Sequence, residues 1–117
     1  MTIAYTVTAT LPDEPTRERY VSWILGGHAQ AVVHGGALGA RVLRLDAQSG
    51  ETGVKVEVRY EFASREALER YVRDVAPGLR AEGLAMFPPE SGVRFDRRVG
   101  EVVGGVVGGV VGEVRQG

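Results

Sequence analysis

The chain has 117 residues, of which 44% are hydrophobic and 25% charged, and its formal net charge is -1. This length is typical of one globular domain and leaves no room for a second sizeable one. The absence of cysteine excludes disulfides, thiolate catalysis and cysteine-ligated metals, and two histidines leave little for a metal site. The balanced charge predicts no broad attraction to nucleic acid or to an anionic membrane. We therefore expect neither a metal site nor a bound cofactor.

The first residues lack the basic start and the apolar core of a signal peptide. No segment reaches the roughly 20 apolar residues that a membrane span requires. Together with the lack of cysteine, these features predict a cytoplasmic protein that does not bind membranes.

Residues 3–11 alternate between apolar and small or polar side chains, which is the pattern of a half-buried strand. The segment 12–16 breaks this strand and offers a capping side chain and first-turn acids. Apolar residues then recur at helical spacing, which predicts a first helix that runs to about His34, where two glycines end it. A second strand is expected over about residues 40–46.

Residues 54–62 show the clearest alternation in the chain, and they follow a glycine-containing hairpin loop at residues 49–53. Ser64 is a suitable N-cap for a second amphipathic helix, which Pro77 should kink or restart. A pair of prolines ends the helical pattern, and residues 92–103 predict a fourth strand.

The resulting order, βαββαβ, is the α+β plan called ferredoxin-like, in which helices cover one face of a four-stranded antiparallel sheet. We assign residues 1–103 to this domain and residues 104–117 to a Val/Gly-rich C-terminal tail. The tail repeats a four-residue unit and is too apolar for a typical solvated linker. We expect it to extend the fourth strand or to lie as an arm on a neighbouring subunit; a flexible end is the alternative.

The face of the sheet without helices is predicted to carry charges of both signs, and three interpretations compete for it. It could face water with weak cross-strand ion pairs. It could bind RNA, but such platforms stack bases on exposed aromatic residues, and here acids would repel phosphates, so no nucleic-acid partner is expected. We favour self-association, in which two sheets meet face to face in a homodimer. The predicted interface residues are Arg44, Lys55, Glu57, Arg59, Glu61, Arg94, Asp96 and Arg98.

The first helix carries the residues that are candidates for chemistry. Tyr20, Ile24 and His28 lie on one helical stripe, so the imidazole should point toward the sheet, and Trp23 lies alongside. In a structural interpretation His28 is a neutral histidine bonded to a buried tyrosine or a backbone carbonyl. In a functional one it is a general base or a ligand-orienting donor at the floor of a cavity. The predicted pocket is lined by Tyr5, Tyr20, Trp23, Tyr60 and Phe95.

Three parts of the chain resemble a family of small bacterial proteins with no assigned reaction. They are the run Ile3-Ala4-Tyr5-Thr6-Val7-Thr8, the pair Trp23 and His28, and the two stretches Leu68-x-x-Tyr71 and Ala76-Pro77-x-Leu79-Arg80. That family is similar in plan to the dimeric α+β barrel superfamily, which includes the antibiotic-biosynthesis monooxygenase-like domains. The resemblance covers about residues 2 to 101.

The resemblance implies a homodimer whose sheets form a barrel, with a small cavity between sheet and helices in each subunit. In that superfamily such cavities serve cofactor-free oxygenases, cyclases, isomerases and haem-degrading enzymes. Trp23 and His28 match the Trp-to-His helix of several members. The chain contains no asparagine, so the Asn-Trp-Tyr set associated with cofactor-free quinone-forming oxygenation is absent.

Two function hypotheses follow. In the first, the protein is a homodimer that binds a small apolar or aromatic molecule, as a binding protein or as a cofactor-free enzyme that uses His28. In the second, it is a structural or protein-interaction module that assembles through its sheet face and tail and has no catalytic activity. A cavity of a few hundred cubic ångströms that touches His28 favours the first, and a filled core favours the second.

Overall fold

The computed structural model describes residues 1–108. Its elements are β1 (Ile3–Leu11), α1 (Glu14–Trp23), α2 (Ala29–His34), β2 (Gly39–Arg44), β3 (Val54–Phe62), α3 (Arg65–Asp74), α4 (Ala76–Met86) and β4 (Arg94–Glu101). A π-helical turn, Ile24–His28, joins α1 to α2, and a 3-10 turn, Pro89–Ser91, precedes β4. The strands form one antiparallel sheet in the order β2-β3-β1-β4. This is the ferredoxin-like arrangement, as predicted.

Strand β1 lies at the centre of the sheet and positions most of the core. It pairs with β3 on one side and with β4 on the other, so that Tyr5 stands opposite Tyr60 and Val99. Because alternate residues of a strand share a face, the odd positions of β1 and the even positions of β3 face the helices. The largest fully buried side chains are Ile3, Leu11, Ile24, Val32, Val56, Val58, Phe62 and Phe87.

The helices begin where the sequence supplies caps. The Thr16 N–H donates to Asp13 Oδ1 at 2.9 Å at the start of α1, and the Ala67 N–H donates to Ser64 Oγ at 3.1 Å at the start of α3. Each bond satisfies an N–H that has no partner within the helix. The predicted cap at Ser64 is therefore confirmed. Pro77 stands in the first turn of α4, where a missing N–H costs nothing, so the predicted restart is also confirmed.

The first helix is interrupted, which the sequence analysis did not predict. Gly27 has φ 153° and ψ -27°, which is not a helical conformation, and the Ala29 N–H donates to the Ile24 carbonyl five residues earlier. A side chain at Gly27 would strain this backbone, because L residues rarely adopt such a φ. The predicted single helix to His34 is therefore two helices joined by a widened turn.

Arg44 lies on the opposite face of the sheet from the one predicted. Strand β2 pairs with β3 so that Val42 stands opposite Val58 and Arg44 opposite Val56, and both valines of β3 face the helices. The Arg44 guanidinium binds the Glu18 carboxylate of α1 at 2.9 Å. The expectation that Arg44 belongs to the polar face is wrong, because the register with β3 places the apolar side chain of Val42, and with it Arg44, toward the helices.

The beginning of the C-terminal tail leaves the sheet. The Val102 N–H donates to the Thr2 carbonyl at 2.9 Å, one position beyond the end of β4. Val103, Val106 and Val107 are 87% exposed or more. The prediction that the tail extends the fourth strand is therefore wrong for residues 103–108. Residues 109–117 lie outside the described part of the chain. The arm on a neighbouring subunit stays a prediction.

Among the helices formed by residues 1–108, none is both long enough and apolar enough to cross a membrane.

Candidate functional site

A cavity of about 200 Å³ lies between the helix-covered face of the sheet and the helices α1 and α4. Its deepest side chains are buried: Tyr5, Tyr20, Ile24, Tyr60 and Tyr71. Partly buried residues form its walls: Val7, Trp23, His28, Leu79, Gly83 and Phe95. Arg80, Leu84 and Arg97 are exposed and lie at its rim. The structure thus brings all five predicted pocket residues and His28 to one cavity.

Six of the fourteen residues that line the cavity are Tyr, Trp or Phe. Tyr5 stacks on Tyr60 with ring centroids 6.1 Å apart, and Tyr20 lies 6.1 Å from Phe95 and 6.2 Å from Trp23. These separations are those of favourable aromatic pairs. Because the rings pack against one another, they present an apolar surface to the interior of the cavity.

His28 is held in the wall by Trp23. The imidazole and the indole stack with centroids 4.1 Å apart and an interplanar angle of 23°. Nδ1 of His28 is buried and has no hydrogen-bond partner among the described residues, so the bond to a tyrosine or carbonyl expected in the structural interpretation is not formed at this atom. Burial lowers the pKa of His28, and the nearby Glu82 carboxylate opposes this shift. The imidazole is therefore neutral near neutral pH and keeps one acceptor nitrogen.

The tyrosines around the cavity are hydrogen-bond donors. Burial raises the pKa of Tyr20 and of Tyr71 to about 12, and raises the pKa of Tyr60 as well. Their hydroxyls therefore keep their protons at any physiological pH. The Tyr5 hydroxyl accepts a hydrogen bond from Arg80 Nη2 at 3.2 Å. The cavity thus offers mainly donors to whatever occupies it.

Two arginines at the rim, Arg80 and Arg97, were not among the predicted pocket residues. Arg97 stands between Phe95 and Val99 on β4, opposite Val7 of β1, so it lies on the helix-covered face. Its Cζ atom is 5.6 Å from the centroid of the Phe95 ring. Strand alternation could have predicted the position of Arg97. Phe95 and Val99, which predicted the inner face of β4, lie two positions before and after it and therefore on the same face. Arg80 lies on α4, where helical spacing alone gave no such signal.

No group of three or more His, Cys, Asp or Glu side chains within residues 1–108 is placed to hold a metal ion. The cavity itself has two arginines and one histidine as its ionisable groups apart from the tyrosines.

The open face of the sheet carries charges in rows that run across the strands. Register defines a basic row of Arg59, Thr6 and Arg98, an acidic row of Glu57, Thr8 and Asp96, and a basic row of Lys55, Thr10 and Arg94. Glu61 begins a further acidic row with Ala4 and Gly100. Along β3 and β4 the sign of the charge therefore alternates from row to row. Of the predicted interface residues, all except Arg44 lie on this face.

Comparison with solved structures identifies the fold. A dimeric ferredoxin-like protein from an uncultured marine organism is 9% identical, with a TM-score of 0.68 over 92% of this chain and 99% of that one. A monooxygenase from the gene ActVA-Orf6 of Streptomyces coelicolor, in complex with the ligand Nanaomycin D, is 17% identical, with a TM-score of 0.66 over 92% of each chain. SnoaB, a cofactor-independent oxygenase from Streptomyces nogalater, is 10% identical, with a TM-score of 0.64 over 90% of this chain and 96% of that one.

At these identities the similarity shows a shared fold, which is also the fold that the sequence resemblance to monooxygenase-like domains implied. No curated protein matches the sequence significantly. Residues 2–100 match the family described as Domain of unknown function (DUF4286). The match spans nearly all of the folded domain, and the chain therefore belongs to the DUF4286 family.

Proposed function

We propose that this protein is a homodimer that binds a small aromatic molecule in the cavity of each subunit, with His28 as the group that accepts a hydrogen bond or a proton from it. The observation that carries the proposal is the aromatic-lined cavity of about 200 Å³ with the imidazole of His28 in its wall.

An open cavity supports ligand binding over the alternative of a purely structural module, for which the core would be filled by its own side chains. The chemistry at His28 requires a neutral ring, and burial provides one. The Streptomyces coelicolor structure, which contains an organic ligand, supports the view that proteins of this fold bind such molecules.

Trp23 is the single tryptophan of the chain and lies in the cavity wall, so its emission reports on occupancy. Benzamide, which can donate a hydrogen bond, and toluene, which cannot, are matched probes of one ring each. We expect both to change the Trp23 emission in a saturable way. His28→Phe keeps a ring against Trp23 but removes both nitrogens, so it should weaken benzamide binding about fivefold and leave toluene binding unchanged.

A steric control separates binding in the cavity from binding elsewhere. A Cβ at Gly83 would lie 3.4 Å from Trp23 Cη2, so Gly83→Leu fills the cavity, whereas a Cβ at Gly78 on the same helix meets no atom within 4 Å. Gly83→Leu should abolish the response to both probes, and Gly78→Leu should retain it. If neither probe changes the emission of the unmodified protein, the binding proposal is wrong.

The homodimer part of the proposal is supported by the charge rows of the open face. Read along β3, the rows of Glu61, Arg59, Glu57 and Lys55 alternate in sign. A second copy turned end to end about the middle of this set places every acidic row against a basic one. Such self-complementarity is what a two-fold interface requires. The marine protein with this fold, which is described as dimeric, supports the same assembly.

Sedimentation velocity tests the dimer. We expect the unmodified protein to sediment as a dimer and the double variant Glu57→Lys with Asp96→Lys to sediment as a monomer, because the changed row is then basic and meets the basic row of Arg59 and Arg98 in the second copy. Glu66→Lys with Glu69→Lys changes the same charge on the exposed side of α3 and should stay dimeric. A monomeric unmodified protein, or a dimeric Glu57 and Asp96 variant, contradicts this assembly.

A further inference from the structure

We infer that the ligand of the cavity is a small aromatic acid whose carboxylate binds between Arg80 and Arg97 at the rim while its ring lies among the aromatic side chains below. This inference rests on the proposed function, since it specifies the class of molecule that the same cavity takes.

The two guanidinium groups reach the rim from different layers of the fold. Arg80 lies on α4 and donates to the Tyr5 hydroxyl at 3.2 Å, and Arg97 lies on β4 with its Cζ 5.6 Å from the Phe95 ring centroid. The positive charges of both arginines are felt by the buried Tyr71 hydroxyl. Each charge lowers the pKa of Tyr71, although burial, which raises it, has the larger effect. The helix and the sheet thus direct two positive charges to one opening.

Nothing else along the described cavity wall compensates these charges. No carboxylate lines the cavity, and within residues 1–108 neither Arg80 nor Arg97 forms an ion pair. Glu82, the carboxylate whose charge reaches His28, is exposed on α4 and does not line the cavity. Since Tyr20, Tyr60, Tyr71 and His28 are neutral near neutral pH, the two arginines leave the cavity positively charged. Guanidinium groups match a carboxylate in geometry as well as in charge, because both are planar and form paired hydrogen bonds.

The size of the cavity indicates a single ring. An apolar cavity of about 150 Å³ holds benzene, and the cavity here is about 200 Å³. The difference accommodates a small substituent, while a carboxylate at the rim adds length outside the enclosed part. The occupant is therefore one aromatic ring with an acid group, with the ring near His28 and Trp23.

Benzoate and benzamide, which differ in charge but hardly in shape, test the inference through the Trp23 emission. We expect benzoate to bind about tenfold more tightly than benzamide. Arg80→Gln and Arg97→Gln should each weaken benzoate binding about fivefold to tenfold and weaken benzamide binding much less, because benzamide carries no charge. Arg70→Gln removes the same charge from an exposed position on α3 outside the cavity and should change neither.

Ionic strength provides a second measurement that needs no variant. Raising the salt concentration from 20 to 300 mM should weaken benzoate binding about threefold and leave benzamide binding unchanged, because salt screens exposed charges. Equal affinity for the two probes, or benzoate binding that depends on neither arginine nor salt, overturns the inference and leaves the proposed binding function intact. Failure of benzoate, benzamide and toluene alike overturns both.

Discussion

The imidazole of His28 stacks on the indole of Trp23 at 4.1 Å, although the two residues are five positions apart on what would be a continuous helix. Five residues advance a regular helix by about 500°, which does not bring side chains to the same side. The π-helical turn at Ile24–His28 widens the backbone there and closes this gap. The non-helical Gly27 therefore has a function in the fold, because it sets the position of the one histidine in the cavity wall.

The lowered pKa of His28 predicts that the protein becomes less stable in mild acid. The ordinary pKa is 6.5, and burial lowers it in the folded state. As the pH falls below 6.5 the unfolded chain gains a proton at this residue that the folded chain does not, so the free energy of unfolding decreases. We expect urea unfolding to show lower stability at pH 5.5 than at pH 7.5.

His28→Phe should remove this part of the pH dependence, and His34→Gln, at an exposed position, should retain it. If the stability of the two variants decreases equally between pH 7.5 and pH 5.5, burial of His28 does not cause the loss of stability in mild acid.

The fold was predictable because its signals are local and periodic. The nine-residue alternation at 54–62 gave β3 with its exact bounds, and Ser64 gave the start of α3. The break at Gly27 could not be predicted, since a glycine inside a helical pattern fits a regular turn as well as a widened one. The face of Arg44 also escaped prediction, because short β2 has little alternation of its own and takes its register from β3.

The site was predictable in its apolar part and not in its charged part. Tyr5, Tyr60 and Phe95 follow from strand alternation, and each lines the cavity. Arg97 has the same parity as Phe95, but a single charged side chain on a strand does not by itself predict a position in an apolar cavity. An arginine faces inward here because β4 is an edge strand, where a long side chain reaches the rim and keeps its guanidinium in water.

Substitution at the two adjacent glycines of the π-turn should have opposite effects. Gly27→Ala forces an L residue into φ 153°, which should cost about 1–3 kcal/mol of stability. Gly26 has no positive φ, and a Cβ there meets no atom within 4 Å, so Gly26→Ala should be neutral or stabilise by up to about 1 kcal/mol. Urea unfolding measures both values. Equal effects at the two positions would show that backbone strain at Gly27 is not the deciding factor.

Buried tyrosines predict loss of stability in alkali. The pKa of Tyr20 and of Tyr71 is about 12 in the folded protein, against an ordinary value of 10.0. Between these values the unfolded chain loses protons that the folded chain keeps, so stability falls as the pH rises above 10. Phenolate absorbance of the folded protein should therefore still be well below its full value at pH 12 unless the protein unfolds, whereas the urea-unfolded protein should titrate near pH 10. Complete titration near pH 10 without unfolding contradicts this prediction.

The approach of Trp23 to Gly83 predicts that a methyl group is tolerated in the cavity wall. A Cβ at Gly83 would lie 3.4 Å from Trp23 Cη2, an ordinary contact, and alanine favours the helix α4 over glycine by about 1 kcal/mol. Gly83→Ala should therefore raise the free energy of unfolding by up to about 1 kcal/mol. At Gly35 a Cβ would lie 2.8 Å from Val75 Cγ1, so Gly35→Ala should lower it by about 1–3 kcal/mol. Urea unfolding of the two variants decides the matter: destabilisation of Gly83→Ala to the same extent would mean that Trp23 cannot adjust and that the cavity wall is rigid on the side of α4.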